Sequence, residues 1–207
     1  MAKSFIMDSG AFSILNSEKQ ASKFNPIDYA KKYGTYVRKH NIDNFVELDI
    51  DGIFGEKIYN ECLDILRQTT GKEPIRVWHL RRGLDYWDYL VDNFNFFMIG
   101  GIATGEISLN DEKLFYYLMN KAHSHNKRVH ALGVSNINSI LKYNFDSVDS
   151  ASWLSSMQYG KFINFNGRYL NSYKIPKNDD NLRLARRFSG IHALKETVKY
   201  SKYLEQF

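Results

Sequence analysis

Residues 111–132, DEKLFYYLMNKAHSHNKRVHAL, contain the helix and strand pair from which the fold is predicted. The first part, residues 111–125, has the length and spacing of an amphipathic helix, and residues 128–132 read as a short apolar strand. Similar helix and strand pairs occur at similar intervals on both sides of this stretch. Strands that alternate with helices of this length are typical of a parallel sheet with right-handed crossovers.

The alternation extends over most of the chain. Asn25 and Pro26 mark the first helix, as its N-cap and first helical residue. Helices are predicted at residues 26–40, 56–68, 84–93, 111–125, 137–143 and about 180–204, and strands at residues 4–8, 45–49, 75–79, 96–100, 128–132 and 147–149. Residues 160–176, GKFINFNGRYLNSYKIP, are predicted to be an irregular aromatic segment. We therefore predict an α/β fold, a TIM-barrel-like (β/α) parallel barrel.

Composition favours one folded domain over residues 1–207, with residues 160–207 as a basic C-terminal extension. A hydrophobic content of 43% is that of a globular protein. No apolar run is long enough to cross a bilayer, and the N-terminus lacks the apolar region of a signal peptide, so we expect a cytoplasmic protein. Cys62 is the single cysteine, which permits neither an intrachain disulfide nor a thiolate zinc site. Its place on the apolar face of a predicted helix indicates a buried thiol.

Positive charge is concentrated in the C-terminal part of the sequence. The whole chain carries +5, whereas residues 161–207 contain ten Lys or Arg against four Asp or Glu, a local net charge of about +6. Arg168, Arg183, Arg186 and Arg187 lie in this part, near Phe and Tyr residues. The pattern indicates a polyanion partner such as a nucleic acid, with a solvated basic surface as the alternative.

Polar residues or glycines follow every predicted strand. They include Asp8 with Ser9, Asp49 with Asp51, His79, Gly100 with Gly101 and Ile102, Leu132 with Gly133, and Asp149. In parallel α/β barrels, the loops at the C-terminal ends of the strands build the active site. In FDSVDSASW, residues 145–153, Asp149 would end an extended segment and project its carboxylate into a cleft, although this stretch alone also fits a polar turn.

These strand ends resemble the motifs of the guanine transglycosylase family, the tRNA-guanine transglycosylases. MDSGAFS at residues 7–13 is similar to the DSGGF-type motif, GGIATGE at 100–106 to the GGLAVGE loop, and HALGVS at 130–135 to the LMGVG strand. FVELDID at 45–51 resembles the strand that bears a base-reading Asp, and VWH at 77–79 lies where the family has VQ. FDSVDSASW resembles the DMFDCV segment that carries the nucleophile. The motifs occur in the family's order and cover about residues 4–153.

The resemblance implies base exchange through a covalent glycosyl-enzyme, a reaction for which two carboxylates are the usual equipment. Asp149 would be the nucleophile, with Asp146 as the other possible register, and Asp8 would move the proton. The substrate-binding residues would be Ser9, Phe12, Asp49, His79, Gly100, Gly101, Ile102 and Leu132. Asp49 would accept hydrogen bonds from guanine, and Phe12 would stack on it. Helix capping by Asp8 or Asp49, a structural His79 and a simple tight turn at Gly100 and Gly101 are the alternatives.

The sequence departs from the family in two respects. With one cysteine it lacks the family's zinc subdomain, so neither a metal nor another cofactor is expected. It also lacks the two barrel strands that precede the DSGGF-type strand. The barrel is therefore expected to be trimmed or incomplete, closed by the C-terminal aromatic segment or completed by another subunit, in a homo-oligomer or with a partner.

These departures favour one branch of the family. A trimmed fold with a basic C-terminal part resembles the branch that inserts 7-deazaguanine bases into phage or bacterial DNA. We therefore expect a pentosyltransferase that exchanges guanine for a preQ0- or queuine-type base, in DNA rather than tRNA, located in the host cytoplasm if phage-encoded. The alternatives are an N-glycosidase that hydrolyses the same bond, and a non-catalytic nucleic-acid-binding protein.

Overall fold

The structure is a computed structural model and describes residues 5–15, 21, 23–149, 161–174 and 182–204, without the side chains of residues 182–189 and 204. It has a mixed α/β fold with a four-stranded parallel sheet. The chain divides into two units, residues 1–98 and residues 99–207. The expectation of a single domain stays a prediction.

The predicted helices are confirmed to within a few residues at each end. They are α2 (Pro26–Lys39), α3 (Asp51–Thr70), α4 (Gly83–Asn93), α5 (Glu112–Ser124), α6 (Ile137–Tyr143) and α7 (Leu182–Leu204). A short α1 (Ala11–Leu15) and a 3-10 turn at Leu80–Arg82 add to them. The largest difference is at α3, which begins at Asp51 and contains a break at Gly55, where φ is 79°. Such a φ suits glycine, which explains why the periodic pattern becomes visible only after this residue.

The predicted strand positions all take part in parallel pairing. Strands β1 (Val77–Trp78), β2 (Phe96–Ile99), β3 (Arg128–Ala131) and β4 (Ser147–Val148) lie in the order β1-β2-β3-β4. In the first unit, isolated parallel bridges join Met7 to Phe45 and Val46 to Ile75. The segments at residues 4–8 and 45–49 are therefore paired as predicted, although by isolated bridges, one in the first segment and two in the second, rather than as regular strands.

The core of the first unit forms where α2 and α3 pack on these bridges. Asn25 Oδ1 accepts a hydrogen bond from Asp28 N at 3.1 Å, which confirms the predicted N-cap of α2. The Tyr33 hydroxyl contacts the carbonyl oxygens of Met7 and Val46, each at 3.1 Å, and so ties α2 to both bridged segments. Cys62 is buried, as predicted, and burial raises the pKa of its thiol to about 11.

In the second unit, the prediction of an irregular aromatic segment at residues 160–176 is wrong. Strands β5 (Lys161–Phe165) and β6 (Leu170–Lys174) form an antiparallel hairpin. Its turn contains Asn166 and Gly167, a pair that favours tight hairpins; Asn166 Oδ1 accepts from Arg168 N at 3.0 Å and Gly167 has φ 94°. The Asn-Gly pair between two aromatic runs is the local sequence pattern that indicates a hairpin here.

Candidate active site

Asp149 lies directly after β4, at the C-terminal end of the parallel sheet, as the sequence predicts. Its Oδ1 accepts a hydrogen bond from Gly133 N at 2.7 Å, and His130 Nε2 lies 3.7 Å from the same oxygen. The side chain is 57% exposed. Partial burial disfavours the ionised form, but the contacts with His130 and the Gly133 N–H outweigh it, so the pKa of Asp149 lies below its usual value. Asp149 is thus an accessible carboxylate at neutral pH.

The two partners of Asp149 are positioned by the neighbouring strand. In the parallel register, His130 of β3 lies opposite Ser147 of β4, and its Nδ1 is 2.9 Å from the Ser147 hydroxyl. Gly133 has φ +77°, and a Cβ at this position would approach Ala103 Cβ to 2.6 Å. Only glycine leaves room for this turn, which directs its N–H at Asp149.

Asp146 lies at the opposite end of β4 and has different partners. Its Oδ2 accepts a hydrogen bond from Val129 N at 2.8 Å, and His123 Nε2 lies 3.1 Å from it. These contacts secure the start of β3 against the start of β4, which is a structural task. Asp146 and Asp149 are three residues apart, yet only Asp149 lies at the strand end where α/β proteins place their ligands.

The GGIATGE loop forms a tight turn after β2. Gly101 has φ +83°, and its carbonyl oxygen accepts from Glu106 N at 2.9 Å and from the Thr104 hydroxyl at 3.1 Å. Gly100 is buried, and Ile102 is half-buried. The tight turn that the sequence left as an alternative is therefore present, and a role for its amides in binding a base stays a prediction.

The loops after β2 and β3 meet within the second unit. Leu132 is half-buried and its N–H donates to Ile99 O at 3.0 Å, continuing the pairing of β3 with β2. Gly133 then lies against Ala103 of the GGIATGE loop. The GGIATGE loop is therefore next to the loop whose Gly133 N–H contacts Asp149.

The first unit carries the DSGAF segment. Asp8 is exposed, Ser9 Oγ accepts from Ala11 N at 3.3 Å and caps α1, and the Ser9 carbonyl accepts from the Tyr29 hydroxyl at 2.6 Å. Phe12 is largely exposed, which leaves its ring available for stacking. Burial, with a smaller contribution from the charge of Asp8, raises the pKa of Tyr29. Helix capping by Asp8 stays an alternative to its proposed role.

Asp49 and His79 are brought together in the first unit, as predicted. His79 Nε2 lies 2.6 Å from Asp49 Oδ2, and Arg81 Nη2 lies 3.2 Å from Asp49 Oδ1. Asp49 has φ +51°, a left-handed conformation that is uncommon for residues other than glycine and occurs often at binding sites. His79 is buried and paired with Asp49. Its structural role is therefore visible, and a role in substrate binding stays a prediction.

A buried network of charges around Glu47 was not foreseen from the sequence. Glu47 accepts hydrogen bonds from the Tyr59 hydroxyl at 2.6 Å, Arg82 Nη1 at 2.9 Å and Arg76 Nη1 at 3.2 Å. Arg82 also makes a two-point contact with Asp51, at 2.7 and 3.0 Å. Burial disfavours ionised Asp51, but the hydrogen bonds from Arg82 and Arg81 outweigh it and hold the pKa of Asp51 well below its usual range.

A signal for this network exists in the sequence. Glu47, Asp49 and Asp51 alternate in FVELDID, which places three acidic residues at one predicted strand and its end. Three arginines occur in RVWHLRR, residues 76–82, at the next predicted strand and its end. Adjacent parallel segments therefore carry matching acids and bases, a pairing that no single position in the sequence reveals.

The C-terminal hairpin packs on α7. Phe165 lies 5.7 Å from the ring of Tyr200, and its N–H donates to Glu196 at 3.0 Å. Phe162 and Tyr173 are opposite each other in the register and keep 41% and 55% exposure, and one side of the Phe162 ring stacks on His192 of α7 at 4.4 Å. Arg168 is exposed in the hairpin turn, with its guanidinium 5.2 Å from the ring of Tyr169. The aromatic residues thus divide between packing and exposure.

The remaining predicted nucleic-acid residues are Arg183, Arg186 and Arg187. The backbone places them in the first turns of α7, and their side chains lie outside the described part of the chain. Within the described residues, no group of three or more His, Cys, Asp or Glu is arranged to hold a metal ion. None of the helices that the structure describes is long and apolar enough to span a membrane.

The site residues accordingly form two groups. Asp49 and His79 are in contact in the first unit, which also holds Asp8, Ser9 and Phe12, whereas Asp149 and the glycine loops belong to the second unit. Convergence of the two groups stays a prediction. No protein-family model, curated protein or solved structure matches the chain.

Proposed function

We propose that this protein is a guanine transglycosylase acting on nucleic acid, which exchanges guanine for a 7-deazaguanine base of the preQ0 or queuine type. The observation that carries the proposal is Asp149, a carboxylate with a lowered pKa that is more than half exposed at the C-terminal end of β4. A carboxylate of this kind suits attack on the C1′ carbon of a nucleoside. Its two flanking loops, after β2 and β3, resemble the family motifs in the expected order.

The proposed reaction uses two carboxylates in the roles that glycosyl transfer requires. Asp149 attacks C1′ and displaces guanine, forming a covalent aspartyl-glycosyl intermediate. Asp8 donates a proton to the departing guanine and accepts one from the incoming base. This assignment rests on the proposed incomplete (β/α) barrel, in which the loops at the C-terminal ends of the strands build the active site.

Guanine recognition is assigned to Asp49. His79 and Arg81 contact Asp49, and Arg82 Nη2 lies 3.6 Å from Oδ1; a carboxylate offers about four lone-pair positions, which the proposal assigns in part to the guanine N1–H and amino group. His79 is buried, whereas the Arg81 side chain is one-third exposed. The contact with Arg81 is therefore the one that an arriving base would share or displace, while His79 keeps the carboxylate in place.

Nucleic acid, with DNA favoured over tRNA, is the proposed partner. The β5–β6 hairpin contains Lys161, Arg168 and Lys174 and no acidic residue, and it exposes the Phe162 and Tyr173 rings. Basic groups that neutralise phosphate, combined with rings on which bases stack, suit a strand whose target base is flipped or unpaired. No zinc subdomain of the kind that serves the tRNA enzymes can be built from a single cysteine.

The test is the retention of labelled guanine or labelled preQ0 by duplex DNA, single-stranded DNA and tRNA, each incubated with the protein. Asp149→Asn keeps the shape of the side chain and removes the nucleophilic charge, so it should lower exchange by about a thousandfold or more while sparing nucleic-acid binding. Asp146→Asn is the matched control, because it makes the same chemical change at the other end of β4. A covalent protein-nucleic acid adduct, seen as a shifted band on a denaturing gel, should require Asp149.

Each outcome of this test has one meaning. Label retained only when Asp149 is intact supports the proposal, and the substrate that retains it identifies the nucleic acid. Release of free guanine without incorporation would assign the protein to the N-glycosidases. Activity lost in Asp146→Asn and kept in Asp149→Asn would show that the register of the nucleophile is off by three residues.

A further inference from the structure

Strand β4 has a histidine and carboxylate pair at each end. At its start, His123 Nε2 lies 3.1 Å from Asp146 Oδ2, and both side chains are 29% exposed. At its end, His130 Nε2 lies 3.7 Å from Asp149 Oδ1, and the His130 side chain is only 8% exposed. The pair at the end therefore combines a buried imidazole with an exposed carboxylate, an arrangement that is not needed to secure the strand.

The neighbours of His130 determine which of its nitrogens carries a hydrogen toward Asp149. Its Nδ1 lies 2.9 Å from the Ser147 hydroxyl, which is able to donate to an unprotonated nitrogen. A bare Nε2 lone pair facing a carboxylate oxygen would be repulsive. The favoured neutral tautomer thus has Ser147 donating to Nδ1 and Nε2–H directed at Asp149, and the imidazolium form also directs a donor at Asp149.

The contacts on Asp149 distinguish its two oxygens. Gly133 N donates to Oδ1 at 2.7 Å, and His130 approaches that same atom. Both of these donors therefore approach Oδ1, and the attack on C1′ is assigned to Oδ2. A separation of 3.7 Å is longer than a hydrogen bond, as is common before a substrate closes a site.

We propose that His130 is a positioning residue that holds Asp149 by Oδ1 and stabilises it as the leaving carboxylate in the second half of the exchange, an inference that rests on the proposed function. In the first step, Asp149 Oδ2 bonds to C1′, the C1′–N9 bond breaks, and the electron pair passes to guanine, which takes a proton from Asp8. In the second step, N9 of the incoming base loses its proton to Asp8 and bonds to C1′. The C1′–Oδ2 bond then breaks, and its electron pair returns to Asp149.

A hydrogen-bond donor at Asp149 Oδ1 affects the equilibrium between the free enzyme and the covalent adduct. Asp149 is charged in the free enzyme and uncharged in the ester, so a donor at Oδ1 favours the free enzyme. Removing the donor should shift the balance toward the covalent adduct, on the order of tenfold, because a hydrogen bond to a charged group is lost. Breakdown of the adduct should slow in proportion, and once this step limits turnover, the turnover number and the Michaelis constant for the nucleic acid should fall together.

Three variants test the role. His130→Leu removes the donor, His130→Gln places an amide N–H near the position of Nε2, and His123→Leu makes the same change at the other end of β4. We expect His130→Leu to raise the ratio of adduct to free enzyme at steady state about tenfold. His130→Gln should bring this ratio most of the way back to the wild-type value. His123→Leu should leave the ratio unchanged. Equal ratios in His130→Leu and the wild type would overturn the proposal, as would failure of His130→Gln to differ from His130→Leu.

A second measurement does not depend on catalysis. Carboxyl carbon NMR titration of Asp149, assigned by comparison with Asp149→Asn, should show a higher pKa in His130→Leu than in the wild type and no change in His123→Leu. Gly133 N–H and His130 are the groups that face this carboxylate from the loop and from β3. An unchanged Asp149 pKa in a folded His130→Leu protein would overturn the positioning role by itself. Absence of base exchange in the wild type, with the pKa displaced as expected, would instead refute the proposed function and leave the contact established.

Discussion

Glu47→Gln should be among the most destabilising single substitutions in the first unit. Both oxygens of Glu47 accept hydrogen bonds, and the side chain is completely buried. A glutamine places an NH₂ group on one of these positions, where it meets a donor whichever way the amide is turned. The guanidinium groups of Arg76 and Arg82 also lose their shared anion in a buried site. Breaking a buried pair in this way costs about 3–5 kcal/mol.

Glu73→Gln is the matched control, because Glu73 pairs with the same arginine in a more exposed position. Arg76 Nη2 lies 2.7 Å from Glu73 Oε1, and Glu73 is 39% exposed, against 0% for Glu47. Exposed ion pairs contribute about 0–1 kcal/mol, so the control should lose no more than that. The two variants make the same chemical change next to Arg76 and differ in burial; Glu73 also pairs with the partly exposed Arg67, at 2.8 and 3.1 Å.

Urea unfolding followed by tryptophan fluorescence measures the difference. Trp78 and Trp87 are buried in the first unit with their rings 5.5 Å apart, so their emission reports on the unit that contains Glu47. We expect the free energy of unfolding to fall by at least about 3 kcal/mol for Glu47→Gln and by less than about 1 kcal/mol for Glu73→Gln. Equal losses for the two variants would refute the reasoning, because burial would then contribute nothing to the value of the pair.

Two further predictions concern pH and nucleic-acid binding. The folded pKa of Asp51 is below its unfolded value of about 3.9, so the stabilisation by its charge is present above that pH and is lost as pH falls toward the folded pKa. In urea unfolding, the loss of stability caused by Asp51→Asn should therefore be constant above about pH 5 and shrink below about pH 4. A loss that does not depend on pH would contradict the assignment. Replacing Arg183, Arg186 and Arg187 together should lower the slope of log binding constant against log salt concentration by about 2–3. Replacing Phe162 and Tyr173 by alanine should weaken binding to single strands and leave this slope unchanged. Identical effects of the two variants on the slope would contradict the division into phosphate and base contacts.

The helices were predictable because their signals are local. Asn25 and Pro26 define the start of α2 within a few residues, and the apolar face of α3 is visible in the spacing of Ile58, Cys62 and Leu66. The parallel pairing also followed from the alternation alone, because a strand, helix and strand of these lengths leave few topologies. The local sequence pattern therefore predicts which secondary-structure elements form and in what order they occur along the chain.

The parts that were missed depend on partners distant in sequence. Glu47 and Arg82 are 35 residues apart, and neither position indicates its partner without the pairing of the segments that carry them. The β5–β6 hairpin is a different case, since Asn166 and Gly167 carried a local signal that the abundance of aromatic residues obscured. Charge distribution alone also could not separate Phe165, which packs on α7, from the exposed Tyr173.

The two carboxylates of FDSVDSASW show why the end of a strand decides what a residue can do. Asp146 and Asp149 have the same chemistry, and each has one backbone N–H and one histidine within reach. At the start of β4 the N–H belongs to the neighbouring strand β3, so accepting from it continues the sheet. At the end of β4 the N–H belongs to Gly133, in a turn that has already left the sheet, so the same hydrogen bond orients the carboxylate without burying it. The aspartate at the start of the parallel strand therefore has a structural role, whereas the aspartate at its end is available for chemistry.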